Sequence, residues 1–408
     1  MPDYAAAGCL IHATLPPRRQ PDAIVNAPST IAQPAQQGLR RLPRPGGAVP
    51  LLVLAILRHD ARSLMFGLVA CAVAATVASF QFAVFTSFLA AGAAVPRFIA
   101  ADAWIAAAGV ECFDFPAPFS QAYAGAVQAH LPGARIRPVL MGFAGSAGPA
   151  ASAGNVVLIG MEGTGLAERQ FMADRSDRRR LRLDAGTPAL QVGGVLLFER
   201  AQTAALATFL GAPYVVVPVE TARRALGWPA TTVAFLTVDF PGGVPADLEQ
   251  RLAALARHYP ELAGFTGRQF EASSSQYWQA KTGAGAAILL AALLAALLML
   301  LLLVNAVARF VQRRQADILS LIGHGASESD VLLLLMSMAG VLVIGSLLAV
   351  VLAAPLITLA ADPWLPWVAF KPVDALFAVL LGALAFAVAT LAARADLKRF
   401  PADAIFRS

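Results

Sequence analysis

The chain has 408 residues, 58% hydrophobic and 14% charged, with a formal net charge of +6 and a mean hydropathy of +0.65. Soluble domains carry about 25% charged residues, so this composition excludes an ordinary soluble protein and indicates an integral membrane protein. The excess positive charge lies in segments that flank apolar runs, where it is a topology signal, and this placement argues against a basic face for nucleic acid.

The segment before the first long apolar run divides in two. Residues 1–50 are rich in Pro, Ala, Gln and Arg and show no apolar period, which predicts a disordered cytoplasmic extension. Residues 51–62 are apolar and end in charges, as in a helix that lies on the inner leaflet with Arg58 and Arg62 at the headgroups. A secretory signal is not expected, because the first apolar run begins after residue 50.

Four apolar runs are each long enough to cross a bilayer, which takes about 20 helical residues. They are residues 64–94, 284–307, 331–359 and 373–393. Pro355 is expected to kink or end the third span, since proline removes a backbone hydrogen bond. We expect the spans to hold no Asp, Glu, Lys or Arg, which argues against an ion-coupled transporter, because that class needs a group to carry protons or sodium. The polar residues Gln81 and Asn305 are expected to hydrogen-bond between helices.

The distribution of basic residues sets the predicted orientation. The connecting loop 308–330 and the tail 394–408 carry Lys and Arg, so both are placed in the cytoplasm together with the N-terminus. The loop 360–372 has a single lysine and two tryptophans, a composition typical of the extracytoplasmic interface. Residues 95–283 are thereby predicted to form an extracytoplasmic domain, and residues 51–94 the interfacial helix and first span.

The extracytoplasmic domain is predicted to be α+β. Strand-like runs of β-branched and aromatic residues are residues 103–107, 136–143, 156–160, 195–198, 214–219 and 233–240. Residues 118–130 and 245–259 are predicted to be helices, the second with its leucines on one face. Two segments are predicted to be loops: the small-residue segment 145–154, and the charge run 174–182, which is interpreted as solvated rather than as a lipid-binding patch.

The sequence contains none of the motifs that would indicate an enzyme. It has no GxxxxGK[ST] phosphate loop, no GxSxG nucleophile turn and no HExxH zinc motif. The three cysteines fall in separate compartments of the predicted topology, and the five histidines are scattered singly, so no disulfide or metal site is expected. We therefore predict no catalytic residue and no cofactor in this chain.

The most informative segment is the cytoplasmic loop 313–330, which reads RRQADILSLIGHGASESD. Its apolar residues fall on one face of a short helix: Ile318, Leu321 and Ile322. Gly323 or Gly325 is expected to end that helix in a left-handed turn, and Ser327 to cap the next one. Two interpretations stay open: a helix that offers its apolar face to a partner's groove, or an ordinary interfacial connector.

This loop, the four-span layout and the large domain after the first span resemble the FtsX-like permeases of ABC transporters. In that family the loop typically reads R-x-E-I-x-x-L-R-A-L-G-A-S. The residues that fit are Arg314, Ile318, Leu321, Gly325, Ala326 and Ser327, with Asp317 at the usually acidic position. Those that depart from it are Ser320, Ile322 and His324. The resemblance implies that residues 284–393 hold the second to fourth membrane helices and that the loop contacts an ATPase. The implied coupling residues are Arg313, Arg314, Asp317, Ile318, Leu321, Ile322, Gly325 and Ala326.

Within that family the likeness is strongest to the DevC type, permeases of the heterocyst-glycolipid exporter kind. The start of the second span resembles a YWxxxTxxG motif. Its matching residues are Tyr277, Trp278, Gln279, Thr282 and Gly285. Segments 101–104 (ADAW) and 113–116 (FDFP) resemble the stretch after the first span, and 400–406 (FPADAIF) resembles a DPAxIF-like tail. Between residues 198 and 214 the chain is shorter than the family norm.

The resemblance implies a homodimer of permeases in the bacterial inner membrane, working with two copies of a cytoplasmic ATPase that binds ATP and Mg. It also implies a periplasmic adaptor of the membrane-fusion class and allows an outer-membrane channel. The expected function is mechanical coupling of the ATPase to export of a lipid, glycolipid or other hydrophobic cargo. Two alternatives stay open: a transmembrane transducer that regulates a periplasmic hydrolase, and a lipoprotein-releasing permease.

Overall fold

The computed structural model describes residues 61–147, 153–183, 189–209, 211–324 and 326–398. The predictions made for residues 1–60, for the centre of the 145–154 loop, for Gly325 and for the 400–406 motif lie outside the described residues.

The described residues form ten α-helices: α1 Ala61–Ala91, α2 Ala94–Ile99, α3 Tyr123–His130, α4 Val219–Leu226, α5 Leu248–His258, α6 Gly267–Gln276, α7 Ala284–Arg313, α8 Gln315–Gly323, α9 Glu328–Ala361 and α10 Pro372–Lys398. They also form eleven strands: β1 Ala103–Ala107, β2 Phe119–Ser120, β3 Arg135–Ala147, β4 Ala153–Met161, β5 Gln170–Asp174, β6 Ala189–Val192, β7 Val195–Thr203, β8 Tyr214–Val217, β9 Thr232–Val233, β10 Phe235–Asp239 and β11 Leu262–Thr266.

Four helices in the described part of the chain are long and apolar enough to cross a membrane, namely α1, α7, α9 and α10, so the predicted spans are confirmed as helices. They pack into one bundle whose core contains many small side chains, which lets the helices approach closely. Core members include Ala75, Ala78, Leu303, Leu335, Ala385 and Ala389. Large apolar side chains such as Leu294 and Val351 are more than half exposed on the outside of the bundle. An outer surface of this kind suits lipid rather than water.

Of the two effects expected of Pro355, an end to the helix is wrong, because α9 continues through the proline to Ala361. The spans are also not free of ionisable residues, because the fully buried Asp374 lies in the first turn of α10. One oxygen of its carboxylate accepts from the Thr86 hydroxyl of α1 at 2.8 Å, and the other accepts from the Lys371 N–H at 2.7 Å. The second bond caps α10, where a negative charge is favourable. Because the fourth span contains this carboxylate, an absence of charged residues no longer speaks against an ion-coupled transporter.

The residues between α1 and α7 form a mixed sheet with helices packed on it, in agreement with the predicted α+β domain. Its nine strands run in the order β11-β1-β10-β3-β4-β8-β5-β7-β6, and β6 also pairs with β3. That second pairing closes β3, β4, β8, β5, β7 and β6 into a small barrel, from which β11, β1 and β10 extend as an open sheet. Strand β3 has 13 residues and belongs to both parts, because it pairs with β10 at its start and with β6 at its end.

Alternation along β3 sends its side chains into two different cores. Leu140 and Ala144 belong to the barrel core, which α4 also joins. Val139 and Met141 face an aromatic core built around Trp104. A third core lies between the open sheet and helices α3 and α5. The long strand therefore ties the barrel and the open sheet into one sheet domain.

Most predicted elements of the sheet domain are confirmed, with shifted ends. The run predicted at 214–219 ends at Val217, because Pro218 is the N-cap residue of α4. The helix predicted at 118–130 begins at Tyr123. No prediction covers strands β5, β6 and β11 or helices α2, α4 and α6, and residues 119–120 of the predicted helix 118–130 form β2 instead. The three strands have five residues or fewer, which is short for a pattern of alternating apolar residues.

The prediction of a solvated loop at residues 174–182 holds for four arginines, which are exposed, and is wrong for the carboxylates. The run leaves β5 through a 3-10 turn, Arg175–Asp177, and both Asp174 and Asp177 are buried. The predicted loop at 145–154 is likewise strand at both of its described ends.

Candidate functional site

Two regions of the structure contain the residues that the sequence singled out. The distal end of the bundle lies away from the sheet domain, and it is formed by the start of α1, the end of α7, α8, the start of α9 and the end of α10. The junction is the place where the bundle meets the sheet domain, and it is formed by the end of α1, the start of α7 and neighbouring loops.

Helix α8 turns the apolar face predicted for partner binding toward its own bundle. Ile318 is only 3% exposed and belongs to the bundle core. Leu321 and Ile322 pack against that core. The exposed residues of α8 are Gln315, Ala316, Asp317, Ser320 and Gly323, and His324 directly after the helix is exposed as well. ATPase contact at this loop stays a prediction, and the side of α8 that is open to such a partner is the polar one.

Local contacts hold both ends of α8. Arg314 Nη1 and Asp317 Oδ2 form an ion pair at 2.6 Å, and the Ala326 N–H donates to the Leu321 carbonyl at 3.1 Å. Of the two glycines predicted to end α8 in a left-handed turn, Gly323 is the last helical residue and has no positive φ, and Gly325 lies outside the described residues.

The start of α9 is capped as predicted. The Ser327 hydroxyl accepts from the Asp330 N–H at 3.3 Å, and the Asp330 carboxylate accepts from the Ser327 N–H at 3.0 Å. These reciprocal bonds form a capping box. Arg313 is exposed in the last turn of α7, where a positive charge is favourable.

At the junction, the motif at the start of α7 meets the FDFP segment in a buried hydrogen-bond cluster. Trp278 lies in a π-helical turn, Tyr277–Lys281, between α6 and α7. Its indole Nε1 donates to Asp114 Oδ2 at 2.9 Å, and the Tyr214 hydroxyl donates to Asp114 Oδ1 at 3.0 Å. All three side chains are buried. The carboxylate thus joins the start of α7 to strand β8, a link between motifs that sequence reasoning treated separately.

Two glycines leave room for the Trp278 ring and for the backbone next to it. A Cβ on Gly92 would lie 2.6 Å from Trp278 Cδ1, closer than atoms can pack, so a side chain at that position requires the ring to move. Thr282 donates to the Trp278 carbonyl at 2.8 Å. A Cβ on Gly285 would lie 2.7 Å from Gln279 Cα. Trp278, Thr282 and Gly285 therefore have packing roles, whereas Gln279 is exposed.

Four aromatic rings fill the junction: Phe88, Phe209, Trp278 and Trp367. They come from α1, the β7–β8 loop, the start of α7 and the α9–α10 loop. The Phe209 centroid lies 5.0 Å from that of Trp278 and 5.1 Å from that of Phe88, and Tyr277 lies beside Trp278 at 6.1 Å. Tilted and edge-to-face contacts at these distances are favourable. Phe209 belongs to the region 198–214, which therefore contributes directly to the junction.

Two buried carboxylates of the charge run hold the segment that carries Phe209. Asp177 accepts from the Thr208 hydroxyl at 2.5 Å and from the Thr208 N–H at 2.9 Å. Asp174 accepts from the Leu206 N–H at 3.0 Å. Because three bonds fix the residues just before it, Phe209 is held against the ends of the membrane helices.

The α9–α10 loop is fastened both to the sheet domain and to α1. Arg180 of the charge run donates to the carbonyls of Pro363 and Trp364, each at 3.2 Å. The Ser87 hydroxyl of α1 donates to the Ala369 carbonyl at 3.1 Å. The loop therefore bridges the two parts of the chain.

Burial shifts the acidity of the junction carboxylates. It raises the pKa of Asp114 to about 6, and the hydrogen bonds from Trp278 and Tyr214 offset part of that rise. It likewise raises the pKa of Asp177 to about 6, against the lowering effect of the bond from Thr208. Burial also raises the pKa of Tyr214 well above its ordinary value, so its hydroxyl stays a donor. Both carboxylates that organise the junction titrate nearer to neutrality than an exposed Asp.

Neither a metal cluster nor a reactive thiol is found in the described residues. They contain no group of three or more His, Cys, Asp or Glu that could hold a metal ion. The free cysteines in this part of the chain, Cys71 and Cys112, are buried, and burial raises the pKa of Cys112 to about 11, which keeps the thiol protonated.

No protein-family model matches the chain, and no curated protein matches it. Among solved structures, it is similar to the periplasmic region of MacB from Actinobacillus actinomycetemcomitans, with a TM-score of 0.32 and 8% identity over 42% of this chain and 91% of that one. It is also similar to the extracellular domain of the noncanonic ABC-type transporter YknZ from Gram-positive bacteria, with a TM-score of 0.29 and 10% identity over 41% of this chain and 99% of that one. Likenesses at TM-scores this low do not define a function.

Proposed function

We propose that the chain is the permease subunit of an ATP-binding cassette exporter and that it passes the motion of a separate cytoplasmic ATPase to an extracytoplasmic domain. The observation that carries the proposal is the bond from Trp278 to Asp114, because it links α7 to the interior of the sheet domain. Helix α7 has 30 residues and is therefore about 45 Å long. A displacement applied at the distal end would reach the sheet domain through α7 and this bond.

The proposal places the four spans in the bacterial inner membrane, with both termini in the cytoplasm. The lengths and apolar surfaces of α1, α7, α9 and α10 support insertion. Arg309 and Arg313 at the end of α7, together with Arg394 near the end of α10, support a cytoplasmic distal end under the positive-inside rule. The sheet domain would then face the periplasm.

A partner would bind the nucleotide in this proposal, since the sequence has no GxxxxGK[ST] phosphate loop. ATP and Mg would be held by the ATPase, which would contact the exposed side of α8. We propose a homodimer of permeases with two such ATPases, and no catalytic residue or cofactor in the permease itself. A periplasmic adaptor of the membrane-fusion class, with an outer-membrane channel beyond it, would receive the cargo.

The proposed cargo is a lipid, a glycolipid or another hydrophobic molecule. The apolar outer surface of the bundle supports this class, because such a cargo is already dissolved in the bilayer that surrounds the helices. The sheet domain would drive the cargo into the adaptor without a polar path between the spans.

Purification of the full chain in mild detergent, with identification of the co-purifying proteins, tests the proposal. We expect an ATPase with a phosphate loop and a coiled-coil periplasmic adaptor. The double variant Ala316→Arg/Ser320→Arg places two bulky cations on the exposed side of α8, and it should lose the ATPase while remaining in the membrane. The matched control Ala395→Arg changes an exposed alanine near the end of α10 and should retain the ATPase.

Absence of an ATPase from preparations of the unaltered chain would overturn the permease proposal. Recovery of an ATPase with a cell-wall hydrolase in place of the adaptor would favour the transducer function. Accumulation of lipoproteins in the inner membrane of a deletion strain would favour lipoprotein release.

A further inference from the structure

A cavity of about 380 Å³ opens between α1, α7 and α9 at the distal end of the bundle. Its apolar wall includes Gly67, Ala70, Leu302, Ala306, Met338 and Leu342. Pockets that bury small ligands have volumes of about 300–1,000 Å³, so this cavity is large enough to hold part of an amphiphile.

Small residues at the contact of α1 with α7 leave this space open. A Cβ on Gly67 would lie 3.5 Å from the Ala306 Cβ and 3.8 Å from Leu342 Cδ2, so a longer side chain at Gly67 would extend into the cavity. A space with apolar walls stays free of water and accepts an apolar ligand. Within a bilayer, the apolar ligand at hand is an acyl chain.

The rim of the cavity is basic. Arg309 and Arg313 line it from the last two turns of α7, and Asn305 lies one turn deeper. Arg309 is exposed, and it has no hydrogen-bond or ion-pair partner among the described residues. A guanidinium binds phosphate with directed hydrogen bonds, and basic pockets between membrane helices on the cytoplasmic side are suited to anionic headgroups.

We propose that this cavity binds an anionic phospholipid of the cytoplasmic leaflet. One acyl chain lies against Gly67, Ala306 and Leu342, and the phosphate lies at Arg309. The inference rests on the membrane placement proposed above, but not on the ATPase or the cargo. The bound lipid would contact α1, α7 and α9 directly before α8, so it would stabilise the arrangement of helices through which motion passes.

Native mass spectrometry of the purified full chain tests this site, with phosphatidylglycerol or phosphatidylcholine of the same acyl composition added to the detergent. We expect several-fold greater retention of phosphatidylglycerol by the unaltered chain. Arg309→Gln should reduce that retention to the level of phosphatidylcholine. Gly67→Leu fills the cavity and should reduce retention of both lipids. Arg394→Gln removes an exposed arginine at the same end of the bundle but outside the cavity, and it should bind like the unaltered chain.

Equal retention of the two lipids by the unaltered chain overturns the proposal, as does equal loss in Arg309→Gln and Arg394→Gln. If Gly67→Leu displaces neither lipid, the lipids do not bind in the cavity, and the proposal is wrong. Arg309→Gln changes an exposed side chain and keeps the test valid even where Gly67→Leu fails to fold.

Carbonate extraction of membranes tests the membrane placement separately. A chain that stays in the membrane pellet without preferring phosphatidylglycerol rejects the lipid site and leaves the proposed function standing.

Discussion

The indole nitrogen of Trp278 donates a 2.9 Å hydrogen bond to Asp114, although the two residues are 164 positions apart in the chain. Trp278 begins the segment that becomes the membrane helix α7, and Asp114 lies inside the sheet domain against β8. The bond therefore spans the boundary between an apolar bundle and a folded domain. The Asp114 carboxylate is buried, and a buried carboxylate without hydrogen-bond partners would be strongly unfavourable.

Replacing Trp278 with Phe should lower the stability of the folded chain by about 1–3 kcal/mol, because the buried Asp114 carboxylate loses one of its two donors. Scanning calorimetry of the detergent-solubilised chain measures the change. Gln279→Ala alters the exposed neighbour and should change stability by less than about 0.5 kcal/mol. Equal melting temperatures for the two variants would show that the bond to Asp114 does not stabilise the junction.

Stability should rise as the pH falls from 7.5 through 6. Asp114 and Asp177 have pKa values of about 6 in the folded chain, above the value of about 3.9 for an unperturbed Asp. Between these values the folded state binds more protons than the unfolded state, so acidification favours folding. The gain amounts to at most about 3 kcal/mol for each carboxyl, at 1.36 kcal/mol per pKa unit, and it is complete near pH 4.

Melting temperatures of the full chain measured across this pH range test the sign. Asp114→Asn and Asp177→Asn should each flatten the rise. Asp247→Asn should leave the rise unchanged, because Asp247 is bonded to Arg251, which lowers its pKa. A melting temperature that falls steadily between pH 7.5 and 5 would contradict the assignment.

Replacing Ile318 with Asp should destabilise the bundle by about 2–5 kcal/mol, because a core side chain is exchanged for a charge with no described partner. Thermal unfolding of the full chain measures this loss. Ala316→Arg lies on the exposed side of the same helix and should melt like the unaltered chain. If Ile318→Asp keeps the normal melting temperature but loses the ATPase, the apolar face of α8 binds the partner rather than the bundle.

Gly92→Ala should lower stability by about 1–3 kcal/mol, because the new Cβ would lie 2.6 Å from the ring of Trp278. Gly125→Ala is the matched control, since Gly125 lies in α3 with no heavy atom within 4 Å of its added Cβ. Alanine is the better helix former, so the control should be unchanged or slightly more stable. Calorimetry measures the stability of both variants against that of the unaltered chain. Equal stability of the two variants would mean that the Trp278 ring moves aside without strain.

Local patterns predicted the elements that depend on local physics. The four spans follow from the length of uncharged apolar runs, and the cap of α9 follows from the spacing of Ser327 and Asp330. The strands β1, β3, β4, β7, β8 and β10 follow from β-branched and aromatic runs. The burial of Asp174 and Asp177 does not follow from the local pattern, because the sequence shows the charges but not the N–H groups from which the two carboxylates accept hydrogen bonds.

Composition and periodicity by themselves determined that this chain has four apolar helices around a large α+β insertion, since apolar length and residue type act along the chain. Only the tertiary structure decided which face of α8 is covered, how β6 closes the barrel onto β3, and that Trp278, Asp114 and Phe209 meet at one junction. Each of these depends on contacts between segments far apart in sequence. Such contacts depend on shape complementarity and on the pairing of buried polar groups. Neither property can be read from the sequence of a short segment.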